Sequence, residues 1–266
     1  MKYSIVCLLV FLGPFASFVA AQEEGWGNLT GQIVVAGDAP KNDEEPVGSN
    51  KDRAACLVDG KVPLDDAIVV SDENELKNVF VIMYTGRGAN KPDSFHPMYD
   101  KSKTATMTLD NQKCRFVPKA LFARTGQKLA LKNSDGVGHN CRIATFNHEH
   151  NVNIPPNSSV EITLGDDDDK LPGDVFCDIH KWMDSIIFVR ENPYVAITDE
   201  NGKFMIENIP PGEWTFQFWH KKAGYMKTLE VDGYKLGRRG ETEIKIEAGK
   251  ELDLGKLTFD AGDFKD

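Results

Sequence analysis

An all-β chain built as two β-sandwiches is predicted by two features of the sequence. From Thr104 onward, short segments rich in Val, Ile, Thr and Phe follow closely on one another: TATMTLD, CRFVP, ALFARTG, QKLALKNSD, CRIATF, SSVEITLG, DVFC and SIIFVR. Clusters of Gly, Pro, Asn and Asp separate them, and no apolar stripe of helical period runs through. That pattern belongs to antiparallel sandwiches and barrels. Past Asn192-Pro193 the texture returns in VAITD, KFMIENI, EWTFQFWH, MKTLEV, TEIKIEA and LDLGKLTF. A chain of 266 residues, 41% apolar, is long enough for two cores.

The remaining segments follow in chain order. Residues 1–21 carry Lys2, an apolar run from Ile5 to Phe18 and Val19-Ala20-Ala21, the form of a secretory signal with small residues at its cleavage site. The run is short for a membrane span and nothing comparable follows, so the mature chain is expected to be soluble, periplasmic or secreted. Asn28 to Ala36 alternates and is β-branched, hence a strand. Residues 41–66 are polar and broken by Pro46, Gly48 and Pro63, which predicts a long loop; Asn78 to Tyr84 (NVFVIMY) predicts a buried strand. Asp199 to Gly202 (DENG) predicts a hairpin whose Asn-Gly suits a type I′ turn.

Loss of the signal removes Lys2 and no acid, moving the net charge from −10 to −11. That balance argues against nucleic acid and against an anionic membrane surface and favours a basic protein partner; with no further apolar run, stable membrane insertion is not expected. Asp166 to Lys170, DDDDK, reads as a solvated charge run. It precedes Cys177 by only a few residues and so is expected to lend a negative field to the docking side.

The chemistry gathers in VFCDIHKWMDSIIFV, Val175 to Val189. Cys177, His180 and Met183 stand at i, i+3 and i+6, and GVGHN upstream supplies His139 and Asn140. One thiolate, two imidazoles and a thioether are the ligand set of a blue-copper site. An extended strand rises roughly 3.3 Å per residue, so the three nearer ligands meet on one ion only where the chain folds back. Cys177 is therefore expected at a strand end, His180 to Met183 in a tight loop, and Ser185 to Arg190 in the strand leaving it. His139 must arrive from another strand end.

Four cysteines remain in the mature chain. With Cys177 reserved as a ligand, at most one disulfide forms among Cys56, Cys114 and Cys141. Cys141 lies in an apolar run, which favours the pair Cys56 and Cys114 without excluding the others. His148 and His150 are a conceivable second metal pair, since alternate strand residues face one way, but the surrounding asparagines suggest a polar loop. Trp214, Trp219 and Tyr225 are expected to be core aromatics rather than a sugar platform.

Thr104 to Arg190 resembles a small cupredoxin. CRFVP and RTGQKLALKNSD are similar to its opening strands, GVGHN to its first-histidine loop, and CDIHKWM to its ligand loop, with the C-x2-H-x2-M spacing of amicyanin rather than that of plastocyanin. The resemblance implies a cupredoxin-type Greek-key β-sandwich and one type 1 copper ion on His139, Cys177, His180 and Met183. It also implies a loop-tying hydrogen bond from Asn140. Trp182 departs from the smaller residue usual before the Met.

Pro193 to the end resembles a carboxypeptidase-regulatory-like sandwich of the immunoglobulin/transthyretin-like kind, through TDENGKFMI, PPG and the aromatic strand after it. The two strands with which that family begins match LTGQIVV and KNVFVIM. These resemblances imply a copper domain over 104–191 inserted into a sandwich made of 26–103 with 192–266. The rival division is a larger cupredoxin over 26–191 followed by a separate sandwich over 192–266.

The expected function is electron transfer between exported redox partners, such as a basic cytochrome c or a periplasmic dehydrogenase, with docking near His180; the chain is then a carrier and not an enzyme. The alternative is a non-redox copper-binding or structural, adhesive protein. A Cys-His hydrolase fits poorly, because His180 at i+3 is badly placed as a base for Cys177.

Overall fold

The structure, a computed structural model, describes residues 25–264 apart from Ser49. The expected signal segment lies outside the described residues. The fold is nearly all β. Two strands come first, β1 (Gly27–Ala36) and β2 (Phe80–Met83). A central group follows: β3 (Met107–Asn111), β4 (Phe116–Val117), β5 (Ala120–Ala123), β6 (Lys128–Asn133), β7 (His139–Ala144), β8 (Glu149–Ile154), β9 (Ser158–Thr163), β10 (Gly173–Phe176) and β11 (Asp184–Val189). The last group is β12 (Val195–Ile197), β13 (Lys203–Ile209), β14 (Gly212–His220), β15 (Gly224–Tyr225), β16 (Glu241–Ile246) and β17 (Glu251–Asp260). Two short helices, α1 (Arg53–Cys56) and α2 (Met98–Thr104), interrupt the early connections. None of the helices among the described residues is long and apolar enough to cross a membrane.

Strand pairing sorts these elements into two sandwiches. In the outer one, a sheet ordered β13-β1-β17 faces a sheet ordered β12-β2-β14-β15, with β16 also on β14. Strands from before 104 thus pair with strands from after 192: Thr30 with Met205, and Val81 with Phe218. Between these sheets lies a core that includes Leu29, Ile33, Phe204, Phe216, Phe218 and Phe259. The central sandwich pairs a sheet ordered β5-β11-β10-β7-β8 with one ordered β4-β3-β6-β9. Its core includes Leu109, Leu131, Cys141, Ile143, Val175 and Ile187.

The sandwiches meet through Phe80 and Ile82 on one side and Ala120, Ile186 and Phe188 on the other. Phe80 stands edge-on to both Phe188, at 6.2 Å, and Trp219, at 5.8 Å. Trp219 is thus part of this joint and Trp214 is buried, as expected of core aromatics. Lys221 reaches from the outer sandwich to Asp184, the residue after Met183, and to Asp174.

Several local expectations are corrected. Pairing is not wholly antiparallel, since β1 with β17, β3 with β6 and β5 with β11 run parallel. Residues 149–154 form a strand rather than a polar loop, because their asparagines pair across to β7: Asn153 lies opposite Asn140, and Asn151 opposite Arg142. DENG is a corner between sheets, since β12 joins β2 whereas β13 joins β1. Only Gly202 there has positive φ, at 66°, so the turn is not type I′, which needs positive φ at both central residues. MKTLEV contributes only isolated bridges through Glu230 and Val231. Within 41–66, α1 and the side chains of Val47 and Cys56 pack on the central core, although this segment precedes the expected start of that domain.

The DDDDK run is exposed at Asp166, Asp167, Asp168 and Lys170, as expected of a solvated run, but not at Asp169. Asp169 is 1% exposed, and its Oδ1 accepts from Thr145 Oγ1 at 2.7 Å and from the Asn147 N–H at 2.9 Å. Asp168 accepts from Arg190 Nε at 3.1 Å and from the Glu191 N–H at 2.6 Å. Thr145 follows the end of β7 and His139 begins it. Strand rise therefore places the acids roughly 20 Å from His139, at the opposite end of the sheet. The charge run is near Cys177 in sequence and remote from it in space.

Candidate metal centre

Three of the sequence-predicted ligands converge at one end of the central sandwich. β10 ends at Phe176, so Cys177 is the first residue past the strand. The chain then folds back. The Met183 N–H donates to the His180 carbonyl at 2.8 Å and the Cys177 N–H to the Met183 carbonyl at 3.2 Å, which closes 177–183 into a tight loop before β11. β7 starts at His139 and pairs with β10, which brings the first imidazole to the same end. A ring nitrogen from each of His139 and His180 and the Cys177 Sγ lie within 4.8 Å of one another, all buried. Met183 is 1% exposed and shares the cluster that holds Cys177.

The orientation of the rings suits a cation. The two Nδ1 atoms are 3.0 Å apart, while the Nε2 edges turn outward to carboxylates. Asp135 Oδ2 lies 2.8 Å from His139 Nε2, and Asp52 Oδ2 lies 3.2 Å from His180 Nε2. An ionised carboxylate can only accept, so each Nε2 carries a proton and each Nδ1 faces inward, where it can hold a second proton toward Cys177 or, without that proton, offer a lone pair to a cation. Two lone pairs at that distance repel unless a positive charge lies between them. The donor set, two imidazole nitrogens and a thiolate, suits a soft ion of the copper kind better than a hard cation.

The Cys177 thiol is shifted toward its thiolate. Burial by itself raises Cys177, but hydrogen bonds from the His139 and His180 rings and from the Asn140 and His180 N–H groups outweigh it and bring the pKa down to about 6. The Asn140 N–H lies 3.3 Å and the His180 N–H 3.4 Å from Sγ. Burial likewise opposes charge on Asp135, yet His139 and the Cys114 and Lys113 N–H groups hold its carboxyl below the usual range. Cys141, with no such donors, is pushed by burial up to about 12 and behaves as a core thiol.

Asn140 ties the 177–183 loop to β8. Its Oδ1 accepts from the Asp178 N–H at 3.2 Å, and its Nδ2 donates to Asn151 Oδ1 at 2.6 Å and Asn153 Oδ1 at 3.2 Å. Trp182 lies beside His180, ring centroids 5.1 Å apart. The disulfide is Cys56–Cys114, and Cys141 and Cys177 are free.

Other expectations do not assemble into sites. His148 binds the Asp167 carbonyl through Nε2 at 2.8 Å and the Gly165 N–H through Nδ1 at 3.2 Å, so both of its nitrogens are engaged away from His150. His180 is 0% exposed, beneath Asp52.

Asp135 and Asp52 are the site residues that sequence reasoning missed. Asp135 had a signal, standing four residues before His139 in NSDGVGHN. Asp52 had none, since 128 positions separate it from His180.

Among solved structures the chain is similar to the copper-containing nitrite reductase from Thermus scotoductus SA-01. The identity is 19% over 33% of this chain and 23% of that one, with a TM-score of 0.30. It is also similar to two amicyanin variants, each matched over 32% of this chain and 81% of that one at a TM-score of 0.27. One is in the reduced Cu(I) form at pH 4, at 17% identity, and the other has a methionine changed to alanine, at 14%. The chain thus spans less than a quarter of the nitrite reductase. No protein-family model matches the chain, and no curated protein does. Likeness of this degree assigns no ligand here and offers no counterpart for the outer sandwich.

Proposed function

We propose that this chain is an exported type 1 copper protein that carries single electrons between redox partners. The observation that carries the reading is the convergence of two inward-facing Nδ1 atoms and a low-pKa thiol in a buried loop. His139, Cys177 and His180 would hold the ion, and Met183 would supply the weaker axial thioether. Copper bound there would cycle between Cu(I) and Cu(II), supplying the one-electron chemistry. The chain's own residues do the rest. Asp135 and Asp52 keep the ring protons on Nε2, the Asn140 and His180 N–H groups stabilise the thiolate, and burial excludes water. The acidic chain favours a basic partner, a cytochrome c or a periplasmic dehydrogenase.

Optical spectroscopy of Cu(II)-loaded protein tests this reading. Strong visible absorption from thiolate-to-copper charge transfer is expected in the wild type and lost in Cys177→Ser. A colourless wild type after loading under oxidising conditions overturns the type 1 assignment.

A second reading, copper carriage without rapid electron exchange, is favoured by the complete burial of His180. Reversible voltammetry of the loaded protein separates the two: a reversible one-electron wave supports the carrier, and its absence supports storage or delivery.

A further inference from the structure

Residues 50–62 belong to neither sheet of the central sandwich, yet they lie against its metal end. Asp52 Oδ2 meets the outer edge of His180 at 3.2 Å. Four residues on, Cys56 is bonded to Cys114, and both sulfurs lie within 4.8 Å of a His180 ring nitrogen. The Cys114 N–H donates at 2.8 Å to Asp135 Oδ2, the oxygen that also meets His139 Nε2. One disulfide therefore stands beside the outer contacts of both imidazoles. The segment is a single layer, with Lys51, Arg53 and Ala54 exposed on its outside and Cys56 buried beneath.

We propose that residues 50–62 are a cover over the metal site, latched by Cys56–Cys114, with Asp52 positioning His180, so that metal enters or leaves only when the cover lifts. This rests on reading His139, Cys177 and His180 as the metal-holding set. While the disulfide is closed, Asp52 cannot swing away without dragging Cys56 from the core. An exported dithiol reductant opens the latch. It passes two electrons and two protons to the Cys56–Cys114 bond, the S–S bond breaks, two thiols form, and the reductant becomes a disulfide. Local opening then exposes the His180 edge without unfolding the sandwich.

The test uses the full-length mature protein without metal. Diethyl pyrocarbonate acylates exposed imidazoles, and mass spectrometry reads the rate at each histidine. His148, 3% exposed and held at the opposite end of the sandwich, is the internal control. With the latch open, in Cys56→Ser/Cys114→Ser or in wild type treated with dithiothreitol, acylation of His180 is expected to rise about tenfold or more while His148 is unchanged. An unchanged His180 overturns the cover, and an equal rise at both histidines overturns it as well, because it marks general loosening.

Cu(II)-loaded protein gives the second arm. Release to an excess of chelator is expected to speed about tenfold when the latch is open, and Asp52→Asn, disulfide intact, is expected to shift the charge-transfer band. Equal release rates overturn the gate, and an unmoved band removes Asp52 as a positioning residue. Failure to bind copper would sink the proposed function, whereas acylation of the metal-free protein decides the cover by itself.

Discussion

Replacing Asp135 with Asn keeps the shape of one carboxylate and reverses what it says to its neighbours. Asp135 Oδ1 accepts from the Lys113 N–H at 2.7 Å, while Oδ2 accepts from the Cys114 N–H at 2.8 Å and meets His139 Nε2 at the same distance. An amide oxygen can keep the first bond. Its NH2 group then faces two donors, so two hydrogen bonds to a charged group are lost. Each is worth about 1.5–3 kcal/mol, which places the cost to the metal-free fold at about 3–6 kcal/mol. With the amide oxygen kept on Lys113, His139 escapes the clash by accepting at Nε2, which moves its proton to Nδ1 and removes the lone pair turned toward Cys177 and His180. Copper affinity is then expected to fall by about 10–100-fold, as for other groups that orient a metal-binding histidine. Urea unfolding of the metal-free protein and chelator competition for copper measure the two effects separately. A variant with wild-type midpoint and wild-type affinity would refute the assignment of Asp135 as the group that sets the His139 tautomer.

Three further outcomes are expected. Asp169→Ala should destabilise the fold by about 3–5 kcal/mol, since two hydrogen bonds to a buried carboxylate disappear, whereas Asp166→Ala should stay within about 0.5 kcal/mol; thermal or urea melts with equal losses would return Asp169 to the solvated run. His220, whose pKa burial pushes down to about 4, stays neutral in the fold while the unfolded chain takes up a proton below about 6.5. Its contribution is complete above that value and declines as pH falls toward 4, a total of about 3 kcal/mol; His220→Asn, whose Oδ1 can take the place of Nδ1 and accept the Lys222 N–H, should flatten stability over that window, and an unchanged slope rejects the assignment. Met183→Leu, similar in volume, should raise the reduction potential by removing a donor that favours Cu(II), and a lowered potential in voltammetry counts against Met183 as a ligand.

Residue spacing alone carried much of this protein. Most of the central strands and the ends of the outer ones were legible because β-branched runs between turn residues are a local signal, set by side-chain sterics and backbone freedom over a few positions. The tight loop over 177–183 was legible for the same reason, as Cys177, His180 and Met183 lie within seven residues. The strand over 149–154 was not, because its asparagines look like loop residues until Asn140 stands opposite Asn153 on β7.

Sequence distance misled at DDDDK, which adjoins Cys177 along the chain but is separated from the metal end by the length of β7 and β10. Tertiary structure alone decided what lies outside the two histidines. Asp52 and Cys56 sit in a stretch whose composition says only loop, and nothing local records that a disulfide to Cys114 holds it against His180. Local sequence encodes backbone preference and donor chemistry. The placing of Asp52 against buried His180 depends on a contact across 128 residues that only the folded chain creates.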